Sequence, residues 1–251
     1  MHGAAYEATG MDATYLRYRV DEEDVRDAVC GADALNVDGL NVTVPHKRTV
    51  AGLDEVVLDE TAERIGAVNT LEFGDRIRGY NTDAAGALRA LRRETTVEGK
   101  RVVVVGAGGA GRAIAFARAE EGAKGAIMNR AESKAESLAD EINETGVADG
   151  YGLDALDDVV PDADVVVNAT TVGMEEDVSP VPADALRKHH VVFDAVYTPL
   201  RTRLLRDAAE AGATTVEGAW MLVYQGAEAF EVWTGRDAPV EAMNEALREE
   251  L

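Results

Sequence analysis

The chain is 251 residues long and has a single cysteine, six prolines, 5% aromatic residues and few cations. With only Cys30 available, no disulfide can form within one chain, and the reading is a buried structural thiol rather than a nucleophile. No apolar run reaches the ~18 residues that a membrane-spanning helix needs. The N-terminus lacks the basic-then-apolar layout of a secretory signal, so the expected location is cytoplasmic. Basic residues number 25 against 47 acidic ones, a formal net charge of −22. Only Lys47, Lys100, Lys124, Lys134 and Lys188 are lysines. A field of that sign repels nucleic acid and anionic membranes, so neither is an expected partner. Acidic disorder is a poor reading, because 46% of the residues are apolar and gather in strand-like runs. A solvated acidic surface suited to high salt, where charges are screened over a few ångströms, fits better, and a halophilic source is expected.

What the chain does have is Val102–Val105 running into Gly106-Ala107-Gly108-Gly109-Ala110-Gly111. Four valines suit a strand buried on both faces of a parallel sheet. The helical pattern from Arg112 onward puts the glycines in a strand-to-helix turn. Gly106 would allow the tight turn, Gly108 the approach of a pyrophosphate, and Gly111 close packing of helix on strand. Free N–H groups at the helix start would face the diphosphate. An ordinary βα turn also accommodates these glycines, but the framing favours a dinucleotide. Beyond it, strand candidates Gly125–Asn129, Asp164–Asn168, Val191–Val196 and Thr214–Val216 join Arg101–Val105. Helical stretches such as Ala113–Glu121 and Ala131–Asn143 alternate with them, the pattern of a doubly wound sheet. The strand ending at Asn129-Arg130 carries no acid for a ribose 2′-hydroxyl. Arg130, with Lys134 four residues on, suits a 2′-phosphate instead, which favours NADP, although a solvated helix start explains the same pair.

The first 83 residues read differently. Thr14–Val20 and Leu40–Val44 look like strands, and Gly74-Asp75 turns Val68–Phe73 back into Arg76–Tyr80. In the last stretch, Val240, Met243, Leu247 and Leu251 form one helical stripe over Pro239–Leu251. The expected architecture is α/β in two domains. Residues 1–83, completed by 219–251, form an N-terminal α/β substrate and catalytic domain, and 84–218 a Rossmann-type, doubly wound NADP-binding domain. The reaction would occur in a cleft between them.

Three polar clusters stand before the glycines: Asn41–Lys47, Ala67–Thr70 and Gly79–Gly86. Hydride transfer to a ketone makes an alkoxide, which needs a positioned proton donor such as a lysine, oriented by an aspartate. Asn69, Thr43 and Thr82 offer neutral hydrogen bonds for a polyhydroxylated substrate. Turn and capping roles explain the same spacing.

In order, NVTVPHK at 41–47, IGAVNTL at 65–71, GYNTDAAG at 79–86, GAGGAGRA at 106–113, NAT at 168–170, DAVYTP at 194–199 and EGAWMLVYQG at 217–226 resemble shikimate dehydrogenases over nearly the whole chain. The resemblance implies NADPH-dependent reduction of 3-dehydroshikimate to shikimate, on the chorismate route to aromatic amino acids. It implies Lys47 as the acid/base paired with Asp83. Thr43, Asn69, Asp83, Tyr197 and Gln225 then hold the substrate. Gly106, Ala107, Gly108, Gly109, Ala110, Asn129, Arg130, Lys134, Ala195 and Gly218 line the cofactor. Expected partners are a small-molecule substrate and a second copy of the chain in a homodimer.

Three departures from the family pattern stand out. Ala131 replaces the usual threonine after Asn-Arg, removing one hydroxyl from the 2′-phosphate site. His46 stands where an aromatic or aliphatic residue is common and reads as a packing substitution. Met1–Ala8 resembles the helix that follows the family's first strand and Ser-x-Ser loop. The reading is that Met1 is an internal methionine, and that a chain extended upstream is the active one. His2 then lies at a frayed end without a role. His189 and His190, read as pointing opposite ways before a strand, make no metal site, and no other Cys/His spacing suggests one. Two alternatives remain: a quinate/shikimate dehydrogenase with relaxed cofactor use, and a protein that binds NADP without catalysis.

Overall fold

The computed structural model describes residues 1–251. In chain order the elements are α1 (His2–Ala8), α2 (Val25–Ala34), β1 (Gly39–Asn41), α3 (Lys47–Ala51), β2 (Val56–Leu58), α4 (Glu60–Ile65), β3 (Thr70–Glu72), β4 (Ile77–Tyr80) and α5 (Thr82–Leu91). They continue with β5 (Arg101–Val105), α6 (Gly109–Glu120), β6 (Lys124–Met128), α7 (Glu132–Ile142), β7 (Val147–Tyr151), α8 (Leu156–Val159) and β8 (Val165–Asn168). Last come β9 (Val191–Asp194), α9 (Arg203–Glu210), β10 (Thr214–Val216), α10 (Gly218–Thr234) and α11 (Val240–Arg248). No helix is long and apolar enough to cross a membrane.

Two sheets organise these elements. The larger is six-stranded and parallel, in the order β10-β9-β8-β5-β6-β7. Strand order reverses at β5, so a crevice opens between the β5 and β8 ends, where α/β sheets bind nucleotides. Val102–Val105 are almost fully buried because both faces are covered. Val103 and Val105 pack with Met128, Val166 and Leu204, whereas Val102 and Val104 pack with Leu91, Phe193 and Met221. Each such side chain contributes roughly 1.5–3 kcal/mol of apolar burial.

The smaller sheet has the order β1-β3-β4-β2, with β3 and β4 forming the expected antiparallel hairpin. α10 is apolar around most of its circumference, and both sides are used. Met221 faces the large sheet, while Ala219, Val223, Ala227 and Phe230 pack with Ala5 and Tyr6 of α1 and Met243 and Leu247 of α11. Trp233 Nε1 donates to the Leu71 carbonyl of β3 at 2.8 Å. The last helices therefore return to the first part of the chain.

Several expectations are corrected. Thr14–Val20 has no regular structure and joins no ladder, and β1 pairs only with β3. Residues 42–46 leave the strand for a turn. Two strands went unrecognised. β2 is three residues at a sheet edge, and β7 contains Asp149 and Gly150. A Cβ on Gly150 would collide with the α7 backbone at Glu136, so helix packing dictates that glycine. α11 ends at Arg248 and leaves Leu251 exposed, outside the stripe. Cys30 is exposed rather than buried, in an open groove of about 450 Å³ with Asp33, Val57 and Arg76, away from the polar clusters. His2 is 4% exposed, with its ring stacked on Tyr15 at 4.5 Å and lying 5.4 Å from Trp233; it is core, not a frayed end. His189 and His190 sit in the turn before β9 with ring centroids 4.4 Å apart, not on opposite strand faces.

Candidate active site

Lys47 opens α3 after the turn at residues 44–46, and its carbonyl accepts the Val68 N–H at 2.9 Å. That bond ties the lysine to the Ala67–Thr70 cluster. Asp83 lies in the first turn of α5, whose N-cap Asn81 accepts the Ala84 N–H and donates to the Ala67 carbonyl. The two side chains meet: Lys47 Nζ donates to Asp83 Oδ2 at 2.6 Å, and the carboxylate is nearly buried. Asn69 Nδ2 donates to the other oxygen, Asp83 Oδ1, at 3.0 Å. It also lies 3.0 Å from Thr82 Oγ1 and 3.3 Å from Gln225 Oε1, so two protons serve three acceptors. Asn69 Oδ1 accepts from the Thr82 N–H at 2.7 Å and from Thr70 Oγ1 at 3.2 Å. Four segments distant in sequence thus converge on one polar network with a cation at its partly open end.

Thr43 lies exposed on the turn leading to Lys47, and Tyr197 is half-exposed just after β9; no hydrogen bond joins either side chain to this network. His46 Nε2 lies 3.0 Å from the Val20 carbonyl, anchoring the Thr14–Val20 segment rather than reaching the lysine.

At the glycine turn, Gly106 has φ +113°, which only glycine adopts readily. A Cβ on Gly111 would run into the Gly106 carbonyl, whereas one on Gly108 or Gly109 would meet nothing within 4 Å. The open space lies where a diphosphate would approach. α6 starts there with Gly108 as an N-cap lacking any side-chain hydrogen bond, which leaves its N–H groups for an anion. Asn129 Oδ1 reaches the Ala107 N–H at 3.4 Å and its Nδ2 donates to the Ala131 carbonyl at 2.9 Å. Arg130 and Lys134 are both exposed beside that turn. These features fit a phosphorylated dinucleotide. Gly218, at the start of α10, packs on Ala195 and Val196; a Cβ there would lie 2.7 Å from the Ala195 carbonyl oxygen.

One cluster in this region escaped the motif reading. Asp194, fully buried at the end of β9, accepts from Asn168 Nδ2 (2.8 Å), Thr202 Oγ1 (2.6 Å) and the Val196 N–H (3.0 Å). Burial pushes its carboxyl above the ordinary value, against the pull of those three donors. Asn168 Oδ1 in turn accepts from the Thr170 N–H and hydroxyl. The aspartate of DAVYTP and the asparagine of NAT are the available signals, since both end strands facing the crevice.

Comparison with known proteins agrees with this geometry. Residues 1–71 match the shikimate dehydrogenase substrate binding domain, 89–197 the shikimate/quinate 5-dehydrogenase family, and 218–248 the shikimate 5′-dehydrogenase C-terminal domain. A shikimate dehydrogenase (NADP(+)) of Haloarcula marismortui is 58% identical over 252 residues, covering 100% of this chain and 93% of that protein. The chain belongs to the shikimate dehydrogenase family. The Natronomonas pharaonis shikimate dehydrogenase (NADP(+)) is 57% identical with the same coverage of both chains. Among solved structures, a shikimate dehydrogenase in complex with NADP+ superposes with TM-score 0.92 at 40% identity, covering 99% of this chain and 89% of that one. The Thermus thermophilus shikimate 5-dehydrogenase in complex with NADP(H) and shikimate gives 0.89 at 37%, covering 100% and 93%.

Proposed function

We propose that the chain reduces 3-dehydroshikimate to shikimate with NADPH, with Lys47 as the acid/base and Asp83 as its partner. The observation that carries this reading is the 2.6 Å Lys47–Asp83 pair, held in a network with Asn69 and Gln225. A protein that only stored NADP would have no use for a nearly buried lysine–carboxylate pair set among neutral donors.

The residues divide the work as follows. Gly106–Ala110, Asn129, Arg130, Lys134, Ala195 and Gly218 would hold NADPH, the free N–H groups at the start of α6 serving its diphosphate charge. When bound, NADPH supplies the hydride that reaches the carbonyl carbon. Lys47 Nζ gives a proton to the developing alkoxide oxygen, leaving a neutral amine that is reprotonated before the next turnover. In the oxidative direction the same nitrogen takes the hydroxyl proton. Asp83 holds the lysine and accepts a hydrogen bond from a substrate hydroxyl. Thr43, Asn69, Tyr197 and Gln225 orient the remaining oxygens, so the carbonyl is presented on one face only.

In this reading residues 1–83 with 219–251 form the substrate domain and 84–218 the cofactor domain. The enzyme works in the cytoplasm, and a homodimer is its proposed assembly. Replacing Lys47 by alanine is expected to lower kcat for 3-dehydroshikimate reduction by about 10²–10⁴, as loss of a positioned acid/base does, with NADPH binding retained. Loss of NADPH absorbance reads the rate; wild-type turnover in the variant would remove Lys47 from the mechanism.

A further inference from the structure

We infer that Gly86 is a positioning residue for this reaction: its lack of a side chain lets α10 close onto α5 and brings Gln225 to Asn69, the partner of Asp83. The inference rests on the reading of Gln225 as a substrate contact.

Gly86 is buried in the middle of α5, three residues after Asp83, so the two share a helix face. A Cβ placed on it would lie 2.8 Å from the Gln225 amide nitrogen, 2.9 Å from Gln225 Cβ and 3.0 Å from the Met221 carbonyl oxygen. Two of those atoms are α10 backbone, so no side-chain rotation relieves the clash. The backbone of Gly86 does not call for glycine, since its φ is not among the positive ones. Glycine inside a helix costs about 1 kcal/mol relative to alanine. The close crossing is therefore what requires this residue.

On the outer side of the same crossing, Arg89 Nη1 donates to Glu228 Oε1 at 2.6 Å, and the Arg93 guanidinium lies 3.6 Å from the Trp220 ring centre. These contacts draw α5 and α10 together at the point where Gly86 leaves room. Gln225 Oε1 reaches Asn69 Nδ2 at 3.3 Å, already a long hydrogen bond. An alanine at position 86 falls about 0.6 Å short of ordinary van der Waals contact with the α10 backbone. Relieving that overlap by moving the helix breaks the Gln225 contact and leaves Lys47–Asp83 in place.

The test is a double-mutant cycle with Gly86→Ala and Gln225→Ala, measured as KM for shikimate, kcat and the NADP dissociation constant. Gly86→Ala is expected to raise KM about five- to tenfold, as loss of one hydrogen bond does, with a smaller change in kcat and none in NADP binding. In the Gln225→Ala background the same substitution should change KM less than twofold. If Gln225→Ala alone leaves KM unaltered, the placement of Gln225 at the substrate fails, and the inference fails with it. If Gln225→Ala raises KM but Gly86→Ala does nothing, or adds its full effect in both backgrounds, the role of Gly86 is overturned and that of Gln225 stands. Should Gly86→Ala not fold, as judged by circular dichroism, Arg89→Ala loosens the crossing without a clash. A KM rise that disappears in the Gln225→Ala background then supports the inference, and an unchanged KM overturns it.

Discussion

His2 shows how little a single residue type reveals before its neighbours are known. Near a chain end it reads as solvent-exposed, yet both ring nitrogens are buried without a hydrogen-bond partner between Tyr15, Tyr6 and Trp233. Burial is the main cause that lowers its pKa to about 4. The unfolded chain therefore takes up a proton near pH 6.5 that the folded chain refuses until about pH 4, and stability falls as pH drops through that window. By pH 4.5 this one group should remove on the order of 2–3 kcal/mol. Replacing His2 by phenylalanine should flatten the difference between urea midpoints at pH 7 and pH 4.5; an unchanged difference would refute the assignment. Cys30 misleads in the opposite direction, since burial of a thiol is decided by what packs above it. Lys47, Asp83 and Asn69 were legible through the motifs that resemble the family, since spacing alone also fits turn and capping roles at the starts of α3, α5 and β3. Their convergence, and the contribution of Gln225 from 142 residues beyond Asp83, belong to the tertiary fold.

Among elements, the sequence pattern marks β5 and β10 with their observed bounds and misses β2 and β7. For β5 an apolar run flanked by polar turns leaves little choice, and the short β-branched run of β10 lies between Gly212 and the start of α10. β2 is only three residues long, and in β7 Asp149 and Gly150 break up the apolar pattern that marks a strand. Thr14–Val20 carries a strand-like pattern but has no adjacent strand to pair with. The ends of β8 and β9 depend on side chains: Asn168, Asp194 and Thr202 knit both strands to the start of α9, where Thr202 also caps the Leu205 N–H at 3.3 Å. Thr202→Val keeps the shape but removes the cap and one of three donors to a buried carboxylate. It should cost about 2–4 kcal/mol in urea unfolding, while Thr202→Ser costs far less. Equal losses in the two variants would show that the hydroxyl is not what matters.

At the scale of the whole molecule, charge dominates. A net −22 spread over a compact body repels itself, and salt screens that repulsion over about 10 Å at 0.1 M and about 3 Å at 1 M. Salt also weakens surface ion pairs such as Arg92–Glu121 and Arg17–Glu250, but exposed pairs are worth only ~0–1 kcal/mol each. Screening should win, so the melting temperature is expected to rise between 0.1 and 2 M KCl; a fall would mean that the ion pairs outweigh the repulsion. The sign expected for this dependence follows from composition alone. The packing of the last two helices against α1 does not, because a stripe of apolar residues shows that a helix is covered without naming its cover.

That packing sets an order of assembly. During synthesis the six-stranded sheet leaves the ribosome as one uninterrupted stretch and has its own strands to pair with. The small sheet emerges earlier, yet Ala5, Tyr6 and the Leu71 carbonyl wait for Phe230, Trp233 and Met243. The small sheet, made before the large one, is finished after it, and Asn69 acquires Gln225 only once α10 has left the ribosome.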